Sequence, residues 1–316
     1  MRLQNILSSV FANLAMKCVI ARKPVVGAHM SSWLTKLHDL PNLHFDTSPQ
    51  GTCRDVHWQS LDLMSVHLGK PPVDKPPDHI FDLVPASSHI LTFDIETHDL
   101  VPNSKGSNPE WIEGRYGHPC RFQPSCLNQL RIVQLGWCVC SSTGQMLSEK
   151  TQFVYPTDFE ITKAAQSKHQ ITNEQLRRSG KSLRSVLEEF LRDVADVVNM
   201  GGAVCAHQIE FDAGVIALEM ERAGLANQHD MWAQSVSNGF CTMNYHVSKW
   251  SCRTFFDQFG CDYNLGRIAP IGLHDMVLAL VPEEYKLLQR HHDAGEDAKM
   301  TMKIVHALQN QLAQFQ

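Results

Sequence analysis

One stretch limits the fold more than any other: "HILTFDIETHDL", residues 89–100. Its first five residues, "HILTF", form an apolar, β-branched run of the kind that makes a buried strand. The run ends directly in two acids, Asp94 and Glu96. Side chains two apart on a strand point to the same face, so both carboxylates leave the sheet together. "RIVQLGWCVC" (131–140) alternates and predicts a second strand, and "TQFVYP" (151–156) a third, ended by proline. Beyond them, "SLRSVLEEFLRDVADVV" (182–198) carries apolar residues at helical spacing. "AVCAH" (203–207) is a short buried strand, and "EFDAGVIALEMERAG" (210–224) a helix closed by glycine. "GLHDMVLAL" (272–280) and "DAKMTMKIVHALQNQL" (297–312) predict two more helices. Three strands in succession, then strands alternating with helices, predict an α/β fold with a mixed sheet flanked by helices.

Composition sets the outer bounds. The 316 residues, 43% of them hydrophobic, suffice for a sizeable core in one or two domains. The net charge of −5 gives no broad basic surface for gripping nucleic acid unaided. Ten cysteines without a CxxC pair fit a reduced intracellular protein better than a disulfide scaffold. No apolar run approaches the ~20 residues of a membrane-spanning helix, so no membrane partner is expected. "KPPVDKPPDH" (70–79) reads as a stiff linker. A division at residue 87 leaves 8 basic and 7 acidic residues before it, and 20 and 26 after it. The expected organisation is therefore an N-terminal extension over 1–87 and an α/β domain over 88–316. No acid precedes Asp39, while Arg2, Lys17, Arg22, Lys23, Lys36 and four serines do, around an apolar stretch at 6–15. That is the composition of an organelle transit peptide, with a mitochondrion or other organelle as destination. If Met16 or Met30 initiates instead, the cytoplasm or nucleus is expected.

The acids raise a chemical question. Asp94 and Glu96, on one face beside a buried run, repel each other and are poorly solvated, unless they simply mark a solvated strand end. A hard divalent cation such as Mg²⁺ or Mn²⁺ relieves the repulsion, because it prefers oxygen ligands. "AHQIEFDAGVI" (206–216) adds Asp212 at the start of a helix whose Phe211, Val215 and Leu218 share one face. Taken alone, such an acid is commonly a partner of the helix dipole. "HHDAGEDA" (291–298) places Asp293 as N-cap, Glu296 three later as in a capping box, and Asp297 in the first turn. His292 stands on the loop before the cap, and the small Ala294, Gly295 and Ala298 let this turn approach the sheet. Each residue of this set, considered singly, reads as an ordinary surface group.

In chain order the three stretches spell D-x-E after a strand, then A-H-x-x-x-F-D, then H-x-A-x-x-D-A. This resembles the DEDDh group of 3′–5′ exonucleases, over about residues 88–313. Leu100 stands at the leucine of the family's D-x-E-T-T-G-L, "RIVQLG" is similar to its second strand, and "HQIT" (169–172) to its "HGIT". Three departures bear on substrate preference. His98 and Asp99 replace Thr and Gly, Gln208 stands where Asn is usual, and more than thirty residues separate the first two strands.

The resemblance implies an RNase H-like, five-stranded mixed sheet flanked by helices. It also implies a phosphodiester hydrolase in which Asp94, Glu96, Asp212 and Asp297 hold two divalent cations, Mg²⁺ or Mn²⁺. His292 would be the general base, since a histidine titrates near ~6.5 in ordinary surroundings. Thr97, Leu100, His207 and Phe211 would contact the substrate. Its expected partners are single-stranded 3′ ends, DNA being favoured, and its products nucleoside 5′-monophosphates. An exoribonuclease acting on short RNA and a non-catalytic nucleic-acid-binding module of the same fold are the alternatives. The 101–126 insertion interleaves Trp111, Tyr116 and Phe122 with Lys105, Arg115 and Arg121. Stacking rings and guanidinium groups are what single-strand binding uses, so Arg115 and Arg121 are expected to bind substrate unless the insertion only covers a sheet edge. His118, Cys120 and Cys126 there match the spacing of no common zinc site.

Overall fold

The computed structural model describes residues 75–101, 112–113, 119–120, 124–258, 271–284 and 292–316. The expected transit peptide, residues 70–74 of the expected linker, Arg115, Arg121 and His291 lie outside the described residues. Nearly all described residues fall in one compact unit, Val73–Cys252 with Gly266–Gln316. The other unit, Met1–Pro72 with Arg253–Leu265, is represented among them only by residues 253–258.

The strands are β1 (His89–Thr97), β2 (Ile112–Glu113), β3 (Pro119–Cys120), β4 (Ile132–Ser141), β5 (Met146–Phe153), β6 (Ala203–Ala206) and β7 (Phe240–Cys241). Five of them form one sheet in the order β5-β4-β1-β6-β7, while β2 and β3 pair separately. β1 is antiparallel to β4, and β4 to β5, whereas β1–β6 and β6–β7 are parallel. This is the expected α/β architecture, a mixed five-stranded sheet with helices on both faces. The third strand begins at Met146, not at 151. As the sheet's edge it alternates half-buried and exposed residues, so its polar Ser148, Glu149 and Lys150 hide it from a search for apolar runs.

Register sorts the two faces. Asp94 lies opposite Gly136, Glu96 opposite Gln134, and Gly136 opposite Thr151. Directly opposed residues share a face. That face is covered by the helix Ala294–Ala313, to which the buried Thr92 hydroxyl donates a hydrogen bond at the Ala298 carbonyl, 2.8 Å away. The other face carries Leu91, Phe93, Ile95, Leu135, Trp137 and Val139. They pack against Val186, Leu187, Phe190, Leu191 and Val194 of the helix Leu183–Asn199, and against Ala213, Val215 and Ile216 of the helix Ile209–Arg222. Phe93, Trp137 and Trp232 surround Phe190 with ring centroids 5.5–5.6 Å apart. This core backs the sheet whose opposite face carries Asp94 and Glu96 beneath the last helix.

On the N-terminal side of residue 87, the helix His79–Leu83 buries Ile80 completely and Val84 follows at 4% exposure. The Pro85 carbonyl accepts a hydrogen bond from Gln309 Nε2 at 2.6 Å. A boundary drawn at 87 would leave these contacts outside the domain they help to pack.

Candidate active site

β6 pairs with β1 only from Ile90 to Phe93. Beyond Phe93 that edge of β1 is met by the first turn of the helix Ile209–Arg222, where the Asp212 carboxylate accepts the backbone N–H of Ile95. Asp212 thus reaches the strand end that carries Asp94 and Glu96. From the opposite side, the helix Ala294–Ala313 brings in Asp297 in its first turn. Glu96, His292 and Asp297 each offer a ligand atom within 4.8 Å of the others. The four acids and His292 singled out in the sequence are therefore gathered at one place.

Burial and mutual repulsion dominate their electrostatics. Asp212 is 3% and Asp297 7% exposed, and the Glu96 side chain 12%. Burial raises the pKa of Asp94, Glu96 and Asp212 well above the ordinary carboxylate value, and mutual repulsion raises it further. Asp297 is pushed up to about 7, by burial first, with Asp293 and Glu296 adding repulsion and the His292 N–H opposing it. Among the described residues no lysine or arginine forms an ion pair with any of the four. Asp212 Oδ2 and Asp297 Oδ1 are buried without a hydrogen-bond partner. Buried anions in that condition call for a cation. Carboxylate oxygens are what Mg²⁺ and Mn²⁺ prefer, so the donor set fits such ions.

His292 adopts left-handed backbone, φ 65°, and its half-exposed ring lies with Nδ1 3.8 Å from Glu96 Oε1. Its backbone N–H donates to Asp297 Oδ2 at 3.2 Å. Asp293 is the N-cap, accepting from the Gly295 and Glu296 N–H groups at 3.1 and 3.2 Å. The Glu296 carboxylate pairs with Lys299 at 3.0 Å. The turn sits hard on the sheet: a Cβ on Gly136 would lie 2.2 Å from the Ala294 carbonyl carbon, and one on Gly295 2.0 Å from Thr151 Oγ1. Glycine at both points is what permits the approach.

The loop that continues β1 is tightly braced. The Thr97 hydroxyl donates to the Asp99 carbonyl at 2.7 Å. His98 N–H donates to the Arg131 carbonyl at 2.9 Å, and Arg131 N–H donates to His98 Nδ1 at 3.1 Å. Asp99 Oδ1 accepts from the Thr162 hydroxyl and from Leu100 N–H, both at 2.8 Å. Two of the residues that depart from the family pattern, His98 and Asp99, therefore serve the loop, and the Asp99 charge is tied down by two donors. Leu100 is 43% exposed. His169 of "HQIT" accepts from Ile171 N–H at Nδ1, so its Nε2 carries the proton and donates to the Thr97 carbonyl at 3.3 Å. His207 is 8% exposed, its Nδ1 lies 2.8 Å from the Thr242 hydroxyl, and burial pushes its pKa down to about 4, so the ring is neutral. Phe211 is half-buried against the main core.

Sequence reasoning quoted Gln134, Gly136 and His169 only within "RIVQLG" and "HQIT" and gave them no role in this assembly. The available signals were a lone amide and a glycine inside the apolar run 131–140. By sequence, the chain matches no protein-family model and no curated protein. By structure, it is similar to exonuclease I of E. coli in a zinc-bound complex with single-stranded DNA, at 15% identity and a TM-score of 0.49, over 72% of this chain and 42% of that one. Similar figures hold for the same enzyme with a dA16 oligonucleotide (16% identity, TM-score 0.49, 72% and 43% of the two chains) and with a dT13 oligonucleotide (13%, 0.49, 72% and 42%). This chain thus spans less than half the length of the exonuclease I chains that it matches.

Proposed function

We infer that this protein is a metal-dependent 3′–5′ exonuclease that removes nucleoside 5′-monophosphates from single-stranded 3′ ends, DNA being favoured over RNA. The observation that carries this reading is the burial of Asp94, Glu96, Asp212 and Asp297 against one another without a protein cation, beside His292. The sequence pattern of the DEDDh exonucleases supplies the reaction class. The four carboxylates would hold the two cations, Mg²⁺ or Mn²⁺. Such ions supply Lewis acidity toward the scissile phosphate and stabilise the departing 3′ oxygen.

The chain's own groups do the rest. His292 accepts the proton of the attacking water at Nε2, as its Nδ1 faces Glu96, and the imidazolium then lies against that carboxylate. The water oxygen bonds to phosphorus as the bond from phosphorus to the 3′ oxygen breaks. The braced 97–100 loop presents the Thr97 backbone and the Leu100 side chain to the terminal nucleotide. His207 and Phe211, from the same stretch as Asp212, would contact the substrate on that side.

The test is digestion of matched DNA and RNA oligonucleotides carrying a 5′ label, with Mg²⁺ or Mn²⁺, followed by product identification. Stepwise shortening from the 3′ end with release of 5′-monophosphates is expected, faster on DNA, and lost in Asp94→Asn. Faster digestion of short RNA would move the substrate to the ribonuclease alternative. Tight binding without hydrolysis of either would make the protein a binding module.

A further inference from the structure

Residues 132–140 of β4 are all buried, and they are apolar or glycine except for Gln134, which is 1% exposed. A buried primary amide must find partners, because losing water without replacing its hydrogen bonds is costly. The partners of Gln134 lie 159 and 160 residues away in the chain. Its Nε2 donates to Asp293 Oδ2 at 3.2 Å, and its Oε1 accepts from the Ala294 N–H at 2.9 Å. Both ends of one side chain are therefore spent on the two residues that follow His292. Across the sheet, Gln134 stands directly opposite Glu96. It links the strand pair carrying Asp94 and Glu96 to the turn carrying His292 and Asp297.

That turn needs an anchor. His292 is held at φ 65°, a conformation that a residue with a side chain keeps only where its surroundings impose it. Asp293 has one oxygen on Gln134 and the other on the Gly295 and Glu296 N–H groups. The same carboxylate thus joins the strand to the first turn of the helix, in which Asp297 lies. Gly136 and Gly295 remove the atoms that would keep the turn off the sheet, but they do not select its register. The two-point amide bond does select it.

We propose that Gln134 is a positioning residue that fixes the 292–297 turn on β4, and through it the approach of His292 to Glu96 and the place of Asp297 in the acid cluster. The inference rests on the reading of that cluster as a cation-binding nuclease site. Groups that orient the ligands of a metal site commonly govern metal affinity or turnover by about 10–100-fold.

The test uses the full chain and reads three quantities. Gln134→Leu keeps the volume and removes both hydrogen bonds. It should speed amide hydrogen exchange in the peptide covering 292–297 and weaken Mn²⁺ binding by roughly tenfold or more. It should lower kcat by roughly 10–100-fold while KM stays within about twofold, since substrate contacts are untouched. Gln134→Glu should do the same, because it sets a second carboxylate against Asp293. Gln134→Glu combined with Asp293→Asn exchanges donor for acceptor, keeps the N-cap and leaves the site's net charge unchanged, so exchange protection and Mn²⁺ affinity should return. The exchange pair also decides the matter if Gln134→Leu fails to fold. Unchanged protection of 292–297 and unchanged Mn²⁺ affinity in folded Gln134→Leu, or no recovery in the double variant, would overturn the proposal. Should the wild type release no mononucleotides, the nuclease reading fails, while hydrogen exchange still decides the role of Gln134.

Discussion

Removing divalent cations should make the fold less stable as pH rises, and Asp297 sets the scale. Its carboxyl titrates at about 7 in the folded protein against an ordinary 3.8. Below about pH 4 the group is protonated in both the folded and the unfolded chain, and it costs nothing. Between those values the folded chain keeps a proton that the unfolded chain has released, so stability falls as pH rises. The loss is complete once the folded carboxyl ionises, just above pH 7. A rise of about three pH units, at ~1.36 kcal/mol each, amounts to on the order of 4 kcal/mol from this residue. Asp94, Glu96 and Asp212 move in the same direction, so they add to the loss. For a domain of this size, with ~2–4 °C for each kcal/mol, Tm in EDTA should drop by roughly 10 °C between pH 4.5 and 8.5. Excess Mn²⁺ should recover part of it, ~2.7 kcal/mol at a hundredfold excess over Kd. Scanning calorimetry of the wild type and Asp297→Asn, each with EDTA or Mn²⁺, measures both effects. In EDTA the variant should show the shallower slope and the higher Tm above pH 7, and it should gain less from Mn²⁺. A wild-type Tm in EDTA that stays level or climbs from pH 4.5 to 8.5, or an equal slope in Asp297→Asn, would refute this account of the acids.

Asp212→Asn should nearly abolish hydrolysis with an unchanged circular dichroism spectrum, and wild-type turnover in the folded variant would remove Asp212 from the ligand set. His292→Ala should lower kcat by ~10²–10⁴-fold while Mn²⁺ binding survives on the four acids, and His291→Ala should do far less. If His291→Ala is the more damaging change, the assignment of the base is off by one residue. Gly136→Ala puts a methyl 2.2 Å from the Ala294 carbonyl carbon, so it should push the 292–297 turn off the sheet, cost ~1–3 kcal/mol in a denaturant titration and weaken Mn²⁺ binding. Ile80→Ala should cost ~2–5 kcal/mol without altering Mn²⁺ affinity, since Ile80 is buried at 0% exposure but makes no polar contact with the acids. A smaller loss would mean that the helix His79–Leu83 contributes little to the domain.

What could be read from the sequence, and what could not, divides along a physical line. That Asp94, Glu96, Asp212, Asp297 and His292 come together was legible only through the order and spacing they share with the DEDDh pattern, since each alone suits an ordinary surface position. β1 and the helix Leu183–Asn199 were legible because burial imposes a period on their apolar residues. The start of β5 at Met146 was not, since an edge strand needs only one buried side. The packing of Ile80 and Val84 was hidden by the prolines beside them, which read as the end of a domain.

The residues that hold the site's geometry stayed hidden for a deeper reason. Gln134 acts through partners 159 and 160 residues away, Gly136 by having no side chain, and His169 through the Thr97 carbonyl. None of these roles constrains residue type until the distant partner is in place, because an amide, a glycine or a histidine suits many surroundings. The acids of such a cluster can therefore be picked out by their order along one chain. The groups that set the distances between those ligands become recognisable only when strand register puts Gln134 opposite Glu96 and the last helix against Gly136. A motif that spells the acids but lacks this support would bind its cations loosely. The measured gap in Mn²⁺ affinity between Gln134→Leu and Asp297→Asn would separate the contribution of placing a ligand from that of supplying it.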